Sequence, residues 1–153
     1  MFTTSAERVS ANTCEASNER IFGDMQRRIE FYAQHPEFIN LRLEELDREW
    51  DIERVIETHS PAMAMLGIVM SVFGGRKWLL LSIFAETMVM THALQGYCPS
   101  LPVLRRAGFR TQREMAEERY ALRALRGDFD SAADTSQGLG ERATAAVSAA
   151  KVG

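Results

Sequence analysis

The chain has 153 residues, enough for one domain with a real core. Eighteen basic and 21 acidic residues leave a net charge of −3, which excludes a global polycation for nucleic acid. Its two cysteines, Cys14 and Cys98, form neither a disulfide framework nor a zinc motif. The mean hydropathy is that of an ordinary soluble protein, but the apolar residues are concentrated between Ser60 and Pro99. The N-terminal stretch lacks the apolar core of a signal peptide, so membrane insertion would rest on that central segment.

Residues 4–34 are charged and periodic, and Ile21, Met25, Ile29 and Tyr32 share one helical face. Pro36 ends this segment. The pattern of 36–57 predicts a single strong helix, with Phe38, Leu41, Leu46, Trp50, Ile52 and Ile56 as its apolar stripe. Ser60-Pro61 predicts a new start, because Ser is a favoured N-cap and Pro a favoured first helical residue.

From Pro61 to Phe73 only Ser71 is polar. Gly74-Gly75 breaks the segment, Arg76-Lys77 follows, and Trp78 to Leu94 forms a second apolar segment. Neither has a clean polar face, which means burial in a core or contact with lipid. Thirteen and seventeen residues rise roughly 20 and 26 Å, short of a hydrocarbon core of ~30 Å. The segments are therefore a short apolar helical hairpin, either in lipid or as the centre of a soluble bundle.

Beyond Pro99, Pro102 and Gly108 mark a bend or short helix. Thr111-Gln112-Arg113-Glu114 is a capping box, opening a helix over Gln112–Arg126 that Gly127 terminates. The tail from Ser131 is rich in Ala, Ser, Thr and Gly and has little to bury, so it reads as disordered or as a fluctuating helix over 140–151. The fold class is all-α. Its regions are an amphipathic helical part (1–57), the hairpin (58–99), a basic amphipathic helical segment (100–130) and the tail (131–153).

The chemistry-bearing residues are few. Cys98 ends the second apolar segment, where a thiol at a membrane boundary could carry persulfide or sense redox state. Glu86 and His92 are ionisable residues within an apolar helix, about 120° apart around its axis. Arg105, Arg106, Arg110 and Arg113 are candidates for lipid headgroups. Gly67 and Ser71 form a small-xxx-small pair, and with Gly74 and Gly75 they allow close helix packing. Five methionines crowd the hairpin, soft ligands in principle but better read as packing. No metal or other cofactor is expected, and no nucleophile–base pair or phosphate loop marks an enzyme.

The runs LDREWDIERVIE, GGRKWLLL, HALQGYCP, LPVLRRAGFRT and ERYALRALRGDF resemble small proteobacterial proteins with a YgaP-like transmembrane domain. Tyr97 stands where the family's common form has tryptophan. The resemblance covers roughly residues 5–130 and implies an inner-membrane helical hairpin, often beside sulfur-handling proteins. The founding example carries a rhodanese. This chain has no such domain, so sulfurtransferase activity does not carry over. The expectation is a non-enzymatic inner-membrane protein with membrane lipid, a second copy and a sulfur-handling protein as partners, and no nucleic acid. Arginine counting across the flanks and the turn puts both termini in the cytoplasm. The rival readings are a soluble helical interaction module and a small transporter or metal-binding membrane protein.

Overall fold

The computed structural model describes residues 7–151 and is all-helical, with no strand among the described residues. Its helices are α1 (Arg8–Ala11), α2 (Glu15–Gln34), α3 (Ile39–Arg48), α4 (Ile52–Gly74), α5 (Leu79–Gln95), α6 (Leu101–Arg106), α7 (Gln112–Arg126), α8 (Asp130–Ala133) and α9 (Leu139–Ala150). Single 3₁₀ turns at Pro36–Phe38 and Arg76–Trp78 lead into α3 and α5. The chain divides into two compact units. One holds the residues up to Asp24 together with Trp50–Met115; the other holds Met25–Glu49 with the chain from Ala116 onward.

In the first unit α4 starts earlier than the Ser60-Pro61 signal predicts. Asp51 is the N-cap, and its side chain accepts a hydrogen bond from the Arg54 N–H at 2.6 Å. The Ile52 N–H donates to the Arg110 carbonyl at 2.9 Å. Pro61 lies inside α4 and Ser60 is buried mid-helix, so the predicted 36–57 helix is divided at Glu49–Asp51 instead. The missing Pro61 N–H forfeits only the bond to the Glu57 carbonyl, on an exposed turn of the helix. Val9, Ile52, Ile56, Met88, Cys98 and Leu101 form the core of this unit.

Gly96 ends α5 in the left-handed region with φ +73°. A Cβ there would lie 2.5 Å from the Arg8 carbonyl carbon. Arg8 donates to the Ala93 carbonyl at 2.7 Å and Asn12 to the Gln95 carbonyl at 2.9 Å, satisfying carbonyls that a helix end leaves open. Arg20 does the same for α6, donating to the carbonyls of Arg105 and Arg106.

The capping box at Thr111 forms in both directions. The Glu114 N–H donates to Thr111 Oγ1 at 3.1 Å, and the Thr111 N–H to the Glu114 carboxylate at 2.8 Å. That carboxylate also takes a bidentate pair from Arg105, two bonds of 2.7 Å, while Arg105 holds Asn18 Oδ1 at 2.8 Å. Burial pushes the Glu114 pKa up, but the Arg105 and Thr111 bonds outweigh it and hold it below the usual value.

In the second unit Glu118 is wholly buried between two arginines. Arg42 Nε reaches it at 2.8 Å and Arg28 Nη2 at 3.0 Å. Ile39 and Leu46 bury one face of α3, whereas Phe38 and Leu41 of the expected stripe are exposed. Gly127, at φ +85°, stops α7 as predicted. Asp128 is held down to about 2 by its bonds to Arg126, against partial burial, with help from Arg123. Where the composition points to a disordered tail or a fluctuating helix over 140–151, the chain forms α8 and, close to that range, α9. Ala149 is buried, Arg142 donates to the Ala132 carbonyl at 3.1 Å, and Arg123 donates to the Lys151 carbonyl.

Three outcomes are expected. Glu118→Ala leaves two arginines without their buried partner and should lower stability by about 3–5 kcal/mol in urea unfolding. Gly96→Ala meets both the positive φ and the Arg8 backbone, and should cost upwards of ~1–3 kcal/mol. Glu114 and Asp128 both titrate lower folded than unfolded. Their stabilisation is therefore complete above the ordinary carboxylate range near ~4 and is lost as pH falls through the depressed folded values. Circular dichroism in acid should show this loss, and Glu114→Gln with Asp128→Asn should flatten it.

Candidate functional site

The feature that stands out is the packing of α4 on α5. The buried residues of this contact are small: Ser60, Ala64 and Gly67 on α4, with Ala85 opposite. Ser60 Oγ donates to the Ala85 carbonyl at 2.5 Å, and Ser82 Oγ to the Ala64 carbonyl at 2.8 Å. A Cβ on Gly67 would fall 2.5 Å from Ser82 Oγ and 2.9 Å from the backbone of Ser82 and Trp78. The helices approach so closely that only hydrogen fits at position 67.

The large side chains point the other way. Between Met65 and Leu94, thirteen large apolar side chains are more than a third exposed. Val72 at 76%, Phe73 at 84% and Leu80 at 68% are the extremes nearest the turn. Soluble monomers rarely expose apolar patches beyond a few hundred Å². The stretch Pro36–Gly74, of which α4 supplies the apolar part, is long and apolar enough to cross a membrane. A soluble core helix passes the same test when mostly buried, but here only 22% of the apolar window is buried.

The expected packing pair is partly replaced. Gly67 is in the contact, but Ser71 donates within its own helix to the Ile68 carbonyl at 2.6 Å. The small residues that meet α5 are instead Ser60, Ala64 and Gly67, at spacings of four and three. Those spacings were present in the sequence, masked by Ser60-Pro61 reading as a helix start. Gly74 carries the Trp78 indole, whose Nε1 would lie 2.5 Å from a Cβ there. Gly75 turns the chain with φ +88° in open space.

Cys98 is a core residue and not a boundary thiol. It is fully buried among Val9, Ile52, Ile56, Met88 and Leu101, with Sγ 3.2 Å from Ser100 Oγ. Cys14 is the exposed cysteine; a hydrogen bond with Ser17 lowers its pKa. Glu86 is exposed on the outward face, beside a shallow groove lined by Ala64, Ile68, Ser82, Ile83, Thr87 and Met90. His92 is buried, and neither ring nitrogen has a hydrogen-bond partner among the described residues. The two thus lie on different faces of α5.

The four arginines do not make a headgroup patch. Arg105 and Arg110 are buried, at 1% and 4% exposure, Arg105 in the ion pair with Glu114. Arg106 and Arg113 are exposed, and Arg113 pairs with Glu7 at 3.5 Å. Among the described residues no group of three or more His, Cys, Asp or Glu side chains could hold a metal ion. Sequence reasoning missed the Arg28–Glu118–Arg42 cluster, whose members are dispersed along the chain. No family model, curated protein or solved structure matches the chain.

The two thiols give a direct check of the burial. Brief alkylation of the folded protein should modify Cys14 and spare Cys98, which should react only in denaturant, as read by peptide mass spectrometry. Rapid native labelling of Cys98 would contradict its core position.

Proposed function

We propose that this chain is a non-enzymatic membrane protein of the bacterial inner membrane, in which α4 and α5 form a lipid-embedded hairpin. The YgaP-like resemblance supplies its setting, an accessory role beside sulfur-handling proteins. Self-association through the hairpin belongs to the same reading, because Glu86 on the outward face has no partner in lipid. Both termini lie on the cytoplasmic side. Arg54, Arg106 and Arg113 remain exposed in the segments flanking the hairpin, although the burial of Arg105 and Arg110 removes two charges from the flank count.

One observation carries the proposal: the contact between the two arms is patterned inside out. In water, helix pairs bury large apolar side chains against each other and present polar ones outward. Helices in lipid gain nothing by hiding leucine from hydrocarbon. They associate through small residues and interhelical hydrogen bonds. Ser60, Ala64, Gly67, Ser82 and Ala85 follow the second pattern, with two serine-to-carbonyl bonds across the contact.

Fractionation of expressing cells tests this. The protein should sediment with membranes and resist alkaline carbonate, whereas a Val72→Asp/Leu80→Asp variant should be largely extracted. Complete release of the unmodified protein by carbonate would leave a soluble module as the better description.

A further inference from the structure

The charged turn at the end of the hairpin fixes how far it reaches, and this inference rests on the membrane reading above. From Pro61 to Gly74 the outer face of α4 carries no charged side chain, a length of 14 residues or roughly 21 Å. Half of a hydrocarbon core is ~15 Å and the whole ~30 Å. A hairpin inserted to the start of this band therefore carries its turn past the midplane, ending roughly 9 Å short of the far boundary.

Arg76 and Lys77 stand at that turn, both exposed, and among the described residues neither has an ion-pair partner. Glu86, the nearest carboxylate along α5, is nine residues from Lys77, or roughly 14 Å along the helix. Extended Lys and Arg stems reach roughly 6 Å and carry their charge toward water. That reach closes most of the gap, and a slight thinning of the bilayer closes the rest. Trp78 lies against Gly74 and sets an indole at the same level, as aromatic residues do at interfaces.

We infer that the turn Gly75–Trp78 lies just inside the hydrocarbon boundary of the far leaflet, from which Arg76 and Lys77 reach up to bind lipid phosphate and hold the short hairpin across a locally thinned bilayer. The occupant of this surface is phospholipid, because the unpartnered charges are cationic and the band that delivers them is apolar.

Trp78 reports its own depth. The chain has two tryptophans, so Trp50→Phe leaves Trp78 as its single indole. The protein is added from outside to vesicles of phosphatidylcholine and phosphatidylglycerol carrying bromines either near the headgroup or near the chain end. Trp78 fluorescence should be quenched most by the headgroup-proximal bromines and should be insensitive to iodide added outside. An Arg76→Leu/Lys77→Leu variant should move the quenching maximum toward the chain-end bromines.

Strongest quenching of the parent by chain-end bromines would place the turn at the midplane and overturn the inference. Sensitivity to external iodide would place it at the near surface, also overturning it. An unchanged profile in the double leucine variant would remove the two cations from the anchor. In these outcomes carbonate resistance of the same vesicles keeps the membrane reading intact. Absence of quenching by either bromolipid, with carbonate release, removes both; a dimer in solution would then assign the apolar face to a second copy.

Discussion

The close approach of α4 and α5 at Gly67 sets the character of this protein. With Ser82 Oγ and two backbone atoms where a Cβ would stand, the arms admit only small residues between them. Most large apolar side chains of the outer half are thereby turned outward. Burying such a side chain is worth about 1.5–3 kcal/mol, so thirteen left half-exposed forgo on the order of 10–20 kcal/mol in water. That is comparable to the whole stability of an ordinary domain, about 5–15 kcal/mol. The apolar surface and the small-residue contact are two sides of one constraint. Lipid, or another apolar surface, resolves both.

Elsewhere the chain is held by buried charge. In one unit Glu114 closes the capping box of α7 and receives Arg105, which in turn holds Asn18 of α2. In the other, Glu118 lies one turn further along α7 between Arg28 of α2 and Arg42 of α3. Burial disfavours the charge of Arg42, but the Glu118 bond outweighs it and raises the pKa above the ordinary guanidinium value. Such pairs contribute little net stability compared with apolar packing, yet losing one partner is severe. Because Glu114 and Glu118 are each shared between residues of different helices, they tie each helix to its immediate neighbours within its unit.

This explains what the sequence could and could not reveal. Local stereochemistry was legible: Pro36, the Gly74-Gly75 turn, the Thr111–Glu114 box and the Gly127 stop all act within a few residues of themselves. The Ser60-Pro61 signal failed because Asp51 offers a better cap and the carbonyl left open by Pro61 faces solvent. Arginines read as a lipid-facing patch because a charge is presumed exposed until a buried partner is known. Arg105 is held both by Glu114, nine residues on, and by Asn18, 87 residues away. Cys98 read as a boundary residue because it follows an apolar helix. Its burial depends on Val9, Ile52 and Leu101, which no spacing rule connects. In the tail, α9 falls where a fluctuating helix over 140–151 is one of two readings, whereas α8 is not foreseen, because an alanine-rich segment has little to bury; Ala149 is buried all the same.

The turn cations decide between the ways in which a short hairpin could meet a bilayer. Stopping at the midplane would leave Arg76 and Lys77 in hydrocarbon, at about 2.5–3.5 kcal/mol each on the insertion scale. Crossing requires accommodating roughly 9 Å of mismatch, of which the two side chains recover roughly 6 Å. The remaining ~3 Å of thinning costs only fractions of a kcal/mol per Å. Within the proposed membrane reading, crossing would thus be favoured by several kcal/mol, with charge at the turn compensating for the short span. The same comparison gives Glu86 its place. Some 14 Å from the turn along a band of roughly 21 Å, it would lie roughly 7 Å inside the near boundary of such a bilayer, in hydrocarbon, where a carboxyl is tolerated best against another protein surface. Under the membrane reading proposed above, a short hairpin carrying Glu86 within the hydrocarbon would need a partner there, which is why self-association belongs to that reading.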